Sequence, residues 1–189
     1  MANKRKASSL ANPAELSPID KANDDQIVVI IETPKHSRNK YAFDPDEKIF
    51  TLKKVLPAGM GFPYDFGFVP STLGGDGDPL DVLVLMDEPA FPGCRLSCRP
   101  VGVIEGEQED ENGRERNDRL VCVEQGNHSF SHVKRIDDMG PKFESELEEF
   151  FVNYHRLSGK KYRILDMKGP SRARRCLKEA RKAARRKGS

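Results

Sequence analysis

Three absences narrow what this 189-residue chain can be. No apolar run approaches the roughly 20 residues that a helix needs to cross a bilayer, so no membrane-spanning helix is expected. The first residues, Met1 to Lys6, carry charge with no hydrophobic segment behind them, which does not read as a secretory signal. The four cysteines (Cys94, Cys98, Cys122 and Cys176) include no CxxC pair and have no histidine nearby at zinc spacing. A zinc site is therefore not expected, and idle thiols in a reducing cytoplasm are the natural reading.

Net charge is also small, at +2, but that figure averages unlike parts. Between Asp25 and Ser171, 19 Lys and Arg stand against 26 Asp and Glu. Between Arg172 and Lys187, nine Lys and Arg stand against one Glu. An acidic body thus carries a basic C-terminus. That end permits contact with nucleic acid or another polyanion, but a solvated helix face or a disordered tail is the preferred reading.

What is present centres on Gly74-Gly75-Asp76-Gly77-Asp78-Pro79-Leu80-Asp81-Val82-Leu83-Val84-Leu85. Three carboxylates fall within six residues, on a Gly/Pro turn that runs into an apolar strand. Carboxylates so crowded repel one another unless a cation lies between them. The pattern points to a Mg²⁺-type site, against the plainer alternative of a solvated acidic turn. It is not a calcium EF-hand: Leu80 occupies a ligand position and Asp81 stands where that loop needs glycine.

The length fits one domain with tails. Residues 1–24 read as a flexible arm. Gln26 to Glu32 is a strong β run, with Glu32 at its end either reaching solvent or facing a charged site. Short strands are expected at Tyr41–Phe43 and Ile49–Leu52. The aromatic segment Gly59–Pro70 reads as a strand with close backbone approach on one side. Arg99–Ile104 and Leu120–Glu124 are further strands, and the charged stretch Glu105–Arg119 between them reads as an exposed loop or solvated hairpin. Pro141–Leu157 is a helix: Phe143, Leu147, Phe150, Phe151, Tyr154 and Leu157 make one apolar stripe. A strand near Tyr162–Leu165 and a basic helix or tail over 170–189 finish the chain. That last helix has a thin apolar side, so its docking is expected to be weak. The expected fold is mainly β (α+β): a body over 25–169, built as a small closed five-stranded OB-like barrel with two helices packed outside.

The run Asp76-Gly77-Asp78-Pro79-Leu80-Asp81-Val82-Leu83-Val84 resembles the signature of soluble inorganic pyrophosphatases of the β-barrel type. Val29-Ile30-Ile31-Glu32-Thr33-Pro34 with Lys40-Tyr41 is similar to that family's first active-site strand and lysine. Phe62-Pro63 with Phe66-Gly67-Phe68, Cys98-Arg99-Pro100-Val101-Gly102-Val103, and Phe150-Phe151 with Tyr154 continue the resemblance in order over residues 25–165.

The resemblance implies Mg²⁺-dependent hydrolysis of pyrophosphate to two phosphates, with several ions per site. It implies Asp76 and Asp81 as metal ligands, Glu32 on an outer metal, and Asp78 as general base toward the attacking water. Lys40, Lys54, Tyr154, Arg119 and His155 would bind the phosphates. In the charged loop Asp110 would supply one ligand, and either Asn117 or Asp118 the next. Homo-oligomers, hexamers or dimers, are implied as well. Against the family pattern, Ala42 replaces a glutamate, Lys54 an arginine, Phe66 a tyrosine and His155 a lysine. The changes at Ala42, Phe66, Asn117 and His155 keep a second reading open: a pyrophosphatase-like relative that binds pyrophosphate or another phosphate ligand with impaired turnover. Beside it stands a related enzyme reading, in which the pocket accepts another small phosphoanhydride.

Overall fold

The computed structural model describes residues 11–187. In chain order the strands are β1 (Ile27–Thr33), β2 (Asn39–Asp44), β3 (Ile49–Val55), β4 (Asp65–Phe68), β5 (Asp81–Leu85), β6 (Arg95–Asp110), β7 (Gly113–Arg116), β8 (Arg119–Glu124) and β9 (Lys161–Lys168). Two helices, α1 (Pro141–Arg156) and α2 (Pro170–Lys187), lie either side of β9 in sequence.

Five strands close a ring in the order β1–β4–β5–β8–β6, with β6 pairing back onto β1. All joins but one are antiparallel; β5 and β8 run parallel. The β2–β3 hairpin forms a separate two-stranded sheet. Strand alternation divides the apolar residues into two main clusters. Val29 and Ile31, Val82 and Val84, Cys98, and Leu120 and Cys122 converge from four ring strands. Leu83, Leu85, Val121 and Val123 turn the other way, under Phe143, Leu147 and Phe151 of α1.

The expected arm over 1–24 is corrected in part; residues 1–10 lie outside those described. From Asn12 onward the segment is pinned to the body. Ala14 and Leu16 pack on Val28, Ile30 and Phe68. Asp20 pairs with Arg95 at 2.7 Å and accepts the Ser97 hydroxyl.

The expectation of a weakly docked C-terminal helix is also corrected. Ala173, Cys176, Leu177 and Ala180 are buried in the same cluster as the ring strands. Small residues let α2 approach closely, and the Ala180 carbonyl accepts the Leu73 N–H at 3.1 Å. Arg172 joins Glu105 of β6 at 2.7 Å. Leu177→Ala should therefore cost about 2–4 kcal/mol in denaturant unfolding. A cost near zero would mean that α2 adds no core.

Acid sensitivity has a definite source beyond the ring. Asp87 accepts the backbone N–H groups of His128 (2.6 Å) and Ser129 (3.0 Å). These bonds lower its pKa to about 2. The stabilisation is full above the ordinary carboxylate pKa and is lost as pH falls through that lower value. Asp87→Asn should flatten the acid limb of a stability–pH curve between about pH 4 and 2. An unchanged limb would remove Asp87 from the acid transition.

Among the described residues no helix is long and apolar enough to cross a membrane. All four cysteines are free thiols, three of them buried.

Candidate active site

The Gly74–Asp81 loop is held at both ends. Gly74 N–H donates to the Asp78 carbonyl at 2.6 Å, and Gly77 takes a positive φ of 87° that a β-carbon would strain. At its exit Leu80 N–H donates to the Thr72 hydroxyl at 3.0 Å. The loop delivers Asp76, Asp78 and Asp81 to one wall of a cavity of about 620 Å³.

Glu32, at the end of β1, lines the same cavity and faces a charged site rather than solvent. One carboxylate oxygen accepts Phe43 N–H at 2.8 Å, and the other lies 3.3 Å from Lys40 Nζ. Lys40 also sits 4.4 Å from the centre of the Phe66 ring, so an aromatic face holds this cation.

Lys40 and Lys54 are register partners across β2–β3. Lys54 Nζ donates to Ser158 Oγ at 2.9 Å and lies 3.8 Å over the Tyr154 ring. Burial, and then the Lys40 charge, lowers the Lys54 pKa. Two facing ammonium groups of this kind favour an anion between them. Burial pushes the Tyr154 phenol up to about 12, so it stays a donor at neutral pH.

Asp81 and Arg119 are register partners in the parallel β5–β8 pair, with Nε 3.4 Å from Oδ2. The guanidinium stacks 4.3 Å from Phe151 and 4.8 Å from Tyr162. Burial raises Asp81 to about 7 even against Arg119 and Lys40, and Asp76 and Glu32 add to the rise. Asp76 is raised too, mainly by burial.

Comparison with known proteins bears directly on this geometry. The model of the inorganic pyrophosphatase family matches residues 29–185. The chain belongs to the inorganic pyrophosphatase family. An inorganic pyrophosphatase of Synechocystis is 42% identical over 142 residues, covering 75% of this chain and 82% of that one. One from Methanosarcina mazei is 37% identical over 152 residues, covering 80% and 88%. The crystal structure of the inorganic pyrophosphatase from Thermus thermophilus superposes with a TM-score of 0.82 at 33% identity, covering 93% of this chain and 99% of that one.

Within this pyrophosphatase cavity the structure brings together Glu32, Lys40, Lys54, Asp76, Asp78, Asp81, Arg119, Tyr154 and His155. Two expected residues are not among them. Asp118 turns away because Asn117 and Arg119, its strand-period neighbours, take the cavity face. Its carboxylate instead accepts Gly106 N–H at 3.1 Å and Arg116 at 2.7 Å, and lies 3.9 Å from Arg172. Of Asn117 and Asp118, it is Asn117 that lines the cavity. Asp110 does not line the cavity either; it pairs with Lys160 Nζ at 3.1 Å and accepts Asn112 N–H at 2.9 Å.

His155 reaches the cavity from inside the core. It is buried, with Nδ1 2.7 Å from the Phe151 carbonyl and its ring stacked 4.5 Å from Tyr162. Burial and then Arg119 lower its pKa to about 3, so it stays neutral. As a phosphate-binding cation it is corrected.

Gln108, Glu115, Ser158 and Lys160 line the cavity and were missed from the sequence. Asn117 Nδ2 donates to Gln108 Oε1 at 3.0 Å, and Gln108 Nε2 donates to Glu115. Of the two readings of the charged stretch, the hairpin holds: the end of β6 pairs with β7. Counting by twos back from Arg119 would have found Asn117 and Glu115.

Proposed function

We propose that this chain hydrolyses inorganic pyrophosphate to two phosphates with Mg²⁺. The observation that carries the reading is the cavity itself: the carboxylates Asp76, Asp78 and Asp81 and the groups Lys40, Lys54 and Tyr154 line one space. Cation binders and anion binders thus share a cavity able to take both a metal and a phosphate.

The donor set fits a hard cation. Asp76 and Asp81 carry raised pKa values in a crowded, partly buried setting. Asn117 Oδ1 is buried with no hydrogen-bond partner, leaving a spare acceptor. Among the described residues no three His, Cys, Asp or Glu side chains form a ready cage. That suits Mg²⁺, which keeps waters and shares its shell with phosphate. Asp76, Asp81, Glu32 and Asn117 would hold it. When bound, Mg²⁺ supplies a lowered water pKa and charge neutralisation at phosphate oxygens.

The chain's own residues do the rest. Asp78 takes the proton of the attacking water. Lys40, Lys54 and Tyr154 hold phosphate oxygens and stabilise charge on the departing phosphate. Arg119, braced by Phe151 and Asp81, fixes the Asp81 carboxylate and lends a second positive group.

The test is phosphate release from pyrophosphate across a Mg²⁺ titration. Metal-dependent release supports the reading, and its absence at high metal sinks it. The neutral Gln108–Asn117 pair favours a second reading, a phosphate binder with impaired turnover. Binding of pyrophosphate without release would select it. A cytoplasmic, self-associating protein is the setting we infer by family likeness.

A further inference from the structure

Lys160 belongs to no role assigned so far, yet it lines the cavity beside Lys54, Ser158 and Tyr154. Its position follows from the end of α1. The chain turns at Gly159, and Lys160 N–H donates back to the His155 carbonyl at 3.1 Å. Strand alternation then places Lys160 on the same side as Tyr162, which is buried against His155. Lys161 goes to the other side and is 84% exposed.

The side chain of Lys160 is one-third exposed. Its Nζ lies 3.1 Å from Asp110 and 4.0 Å from Glu115. Asp110 stands outside the cavity and Glu115 lines it, so this ammonium bridges the rim. On this flank His155 is neutral, and Arg119 is committed to Asp81. Lys160 therefore adds a further positive charge beside Lys54 for an anion in the cavity.

We propose that Lys160 is a substrate-contacting cation, passed from Asp110 to a phosphate oxygen when an anion fills the cavity. The inference rests on the phosphoanhydride reading of the site. A partly exposed ion pair holds its lysine weakly, so exchange to a doubly charged phosphate is favourable. Glu115 and Asp110 then act as the resting place of the ammonium.

The experiment measures inorganic phosphate binding by calorimetry, thermal stability and pyrophosphate turnover for wild type, Lys160→Ala, Lys160→Arg and Asp110→Asn. Lys160→Ala should weaken phosphate binding and raise KM by about tenfold. Lys160→Arg should stay within about threefold, because the charge is kept. Asp110→Asn removes a competitor for Nζ, so phosphate should bind as tightly as in wild type or more tightly. If Lys160→Ala and Asp110→Asn lose equal stability and neither changes phosphate binding, the pair is only structural and the inference is overturned. A wild type that binds phosphate through Lys160 but releases none from pyrophosphate would overturn the hydrolase reading and leave this one standing. A wild type that binds no phosphate would overturn this inference, and one that also releases none from pyrophosphate would overturn both.

Discussion

Replacing Asp78 by asparagine should reduce phosphate release by about 10²–10⁴-fold, the usual contribution of a positioned general base. Asp78 is exposed at the cavity wall, and only its backbone takes part in the loop's hydrogen bonds. Asparagine matches its shape but cannot accept a proton near neutral pH. The melting temperature should therefore stay within about 1–2 °C of wild type while turnover collapses. Asp76→Ala offers a contrast. The Asp76 Oδ1 accepts the Asp78 N–H at 3.3 Å, so that change disturbs the loop as well as the ligand set. Asp78→Asn protein with near-normal turnover would remove Asp78 as base and point to another proton acceptor on the same wall.

The largest stability effect is expected at Gly67. A β-carbon there would lie 2.0 Å from the Ile30 carbonyl oxygen and 3.0 Å from Ile31 Cα. Those atoms are β1 backbone, so no rotamer change relieves the clash. Gly67 pairs with Ile31 on one side and Val82 on the other, joining the strand that carries Glu32 to the strand that starts at Asp81. Gly67→Ala should cost about 4 kcal/mol or more, a large share of a typical 5–15 kcal/mol total. Gly126→Ala is the control. Its added carbon would meet only the end of the Glu124 side chain at 3.4 Å, and the cost should be within about 0.5 kcal/mol. Equal unfolding midpoints for the two variants would show that β1 and β4 are not held as closely as described.

The sequence made most of this site readable because its chemistry is concentrated. Asp76, Asp78 and Asp81 share one turn, and Glu32 and Lys40 flank one strand end. Gly67 was legible too, since a glycine among buried aromatics marks a close backbone approach. The misses have physical causes. His155 follows from helix spacing, since 143, 147, 151 and 155 lie on one line, yet a histidine beside arginine looks like a solvated helix end. Asp118 was attractive because it is a carboxylate, whereas strand alternation, not acidity, decides which side chain meets the cavity. Lys160 owes its place to the turn after α1 and to the facing β6–β7 hairpin, a long-range relation that local pattern does not encode. The strength of α2 docking was underread because small side chains count little as apolar surface but permit near contact.

The hydrogen bond from Leu73 to Ala180 has a consequence for synthesis. Ring closure needs β6 to meet β1, and the approach to the carboxylate loop takes its hold from α2. A ribosome-bound fragment that ends before α2 therefore lacks the anchor of its own signature loop. The loop's competence waits for α2, so a fragment that stops short of that helix would hold its carboxylates without their final anchor.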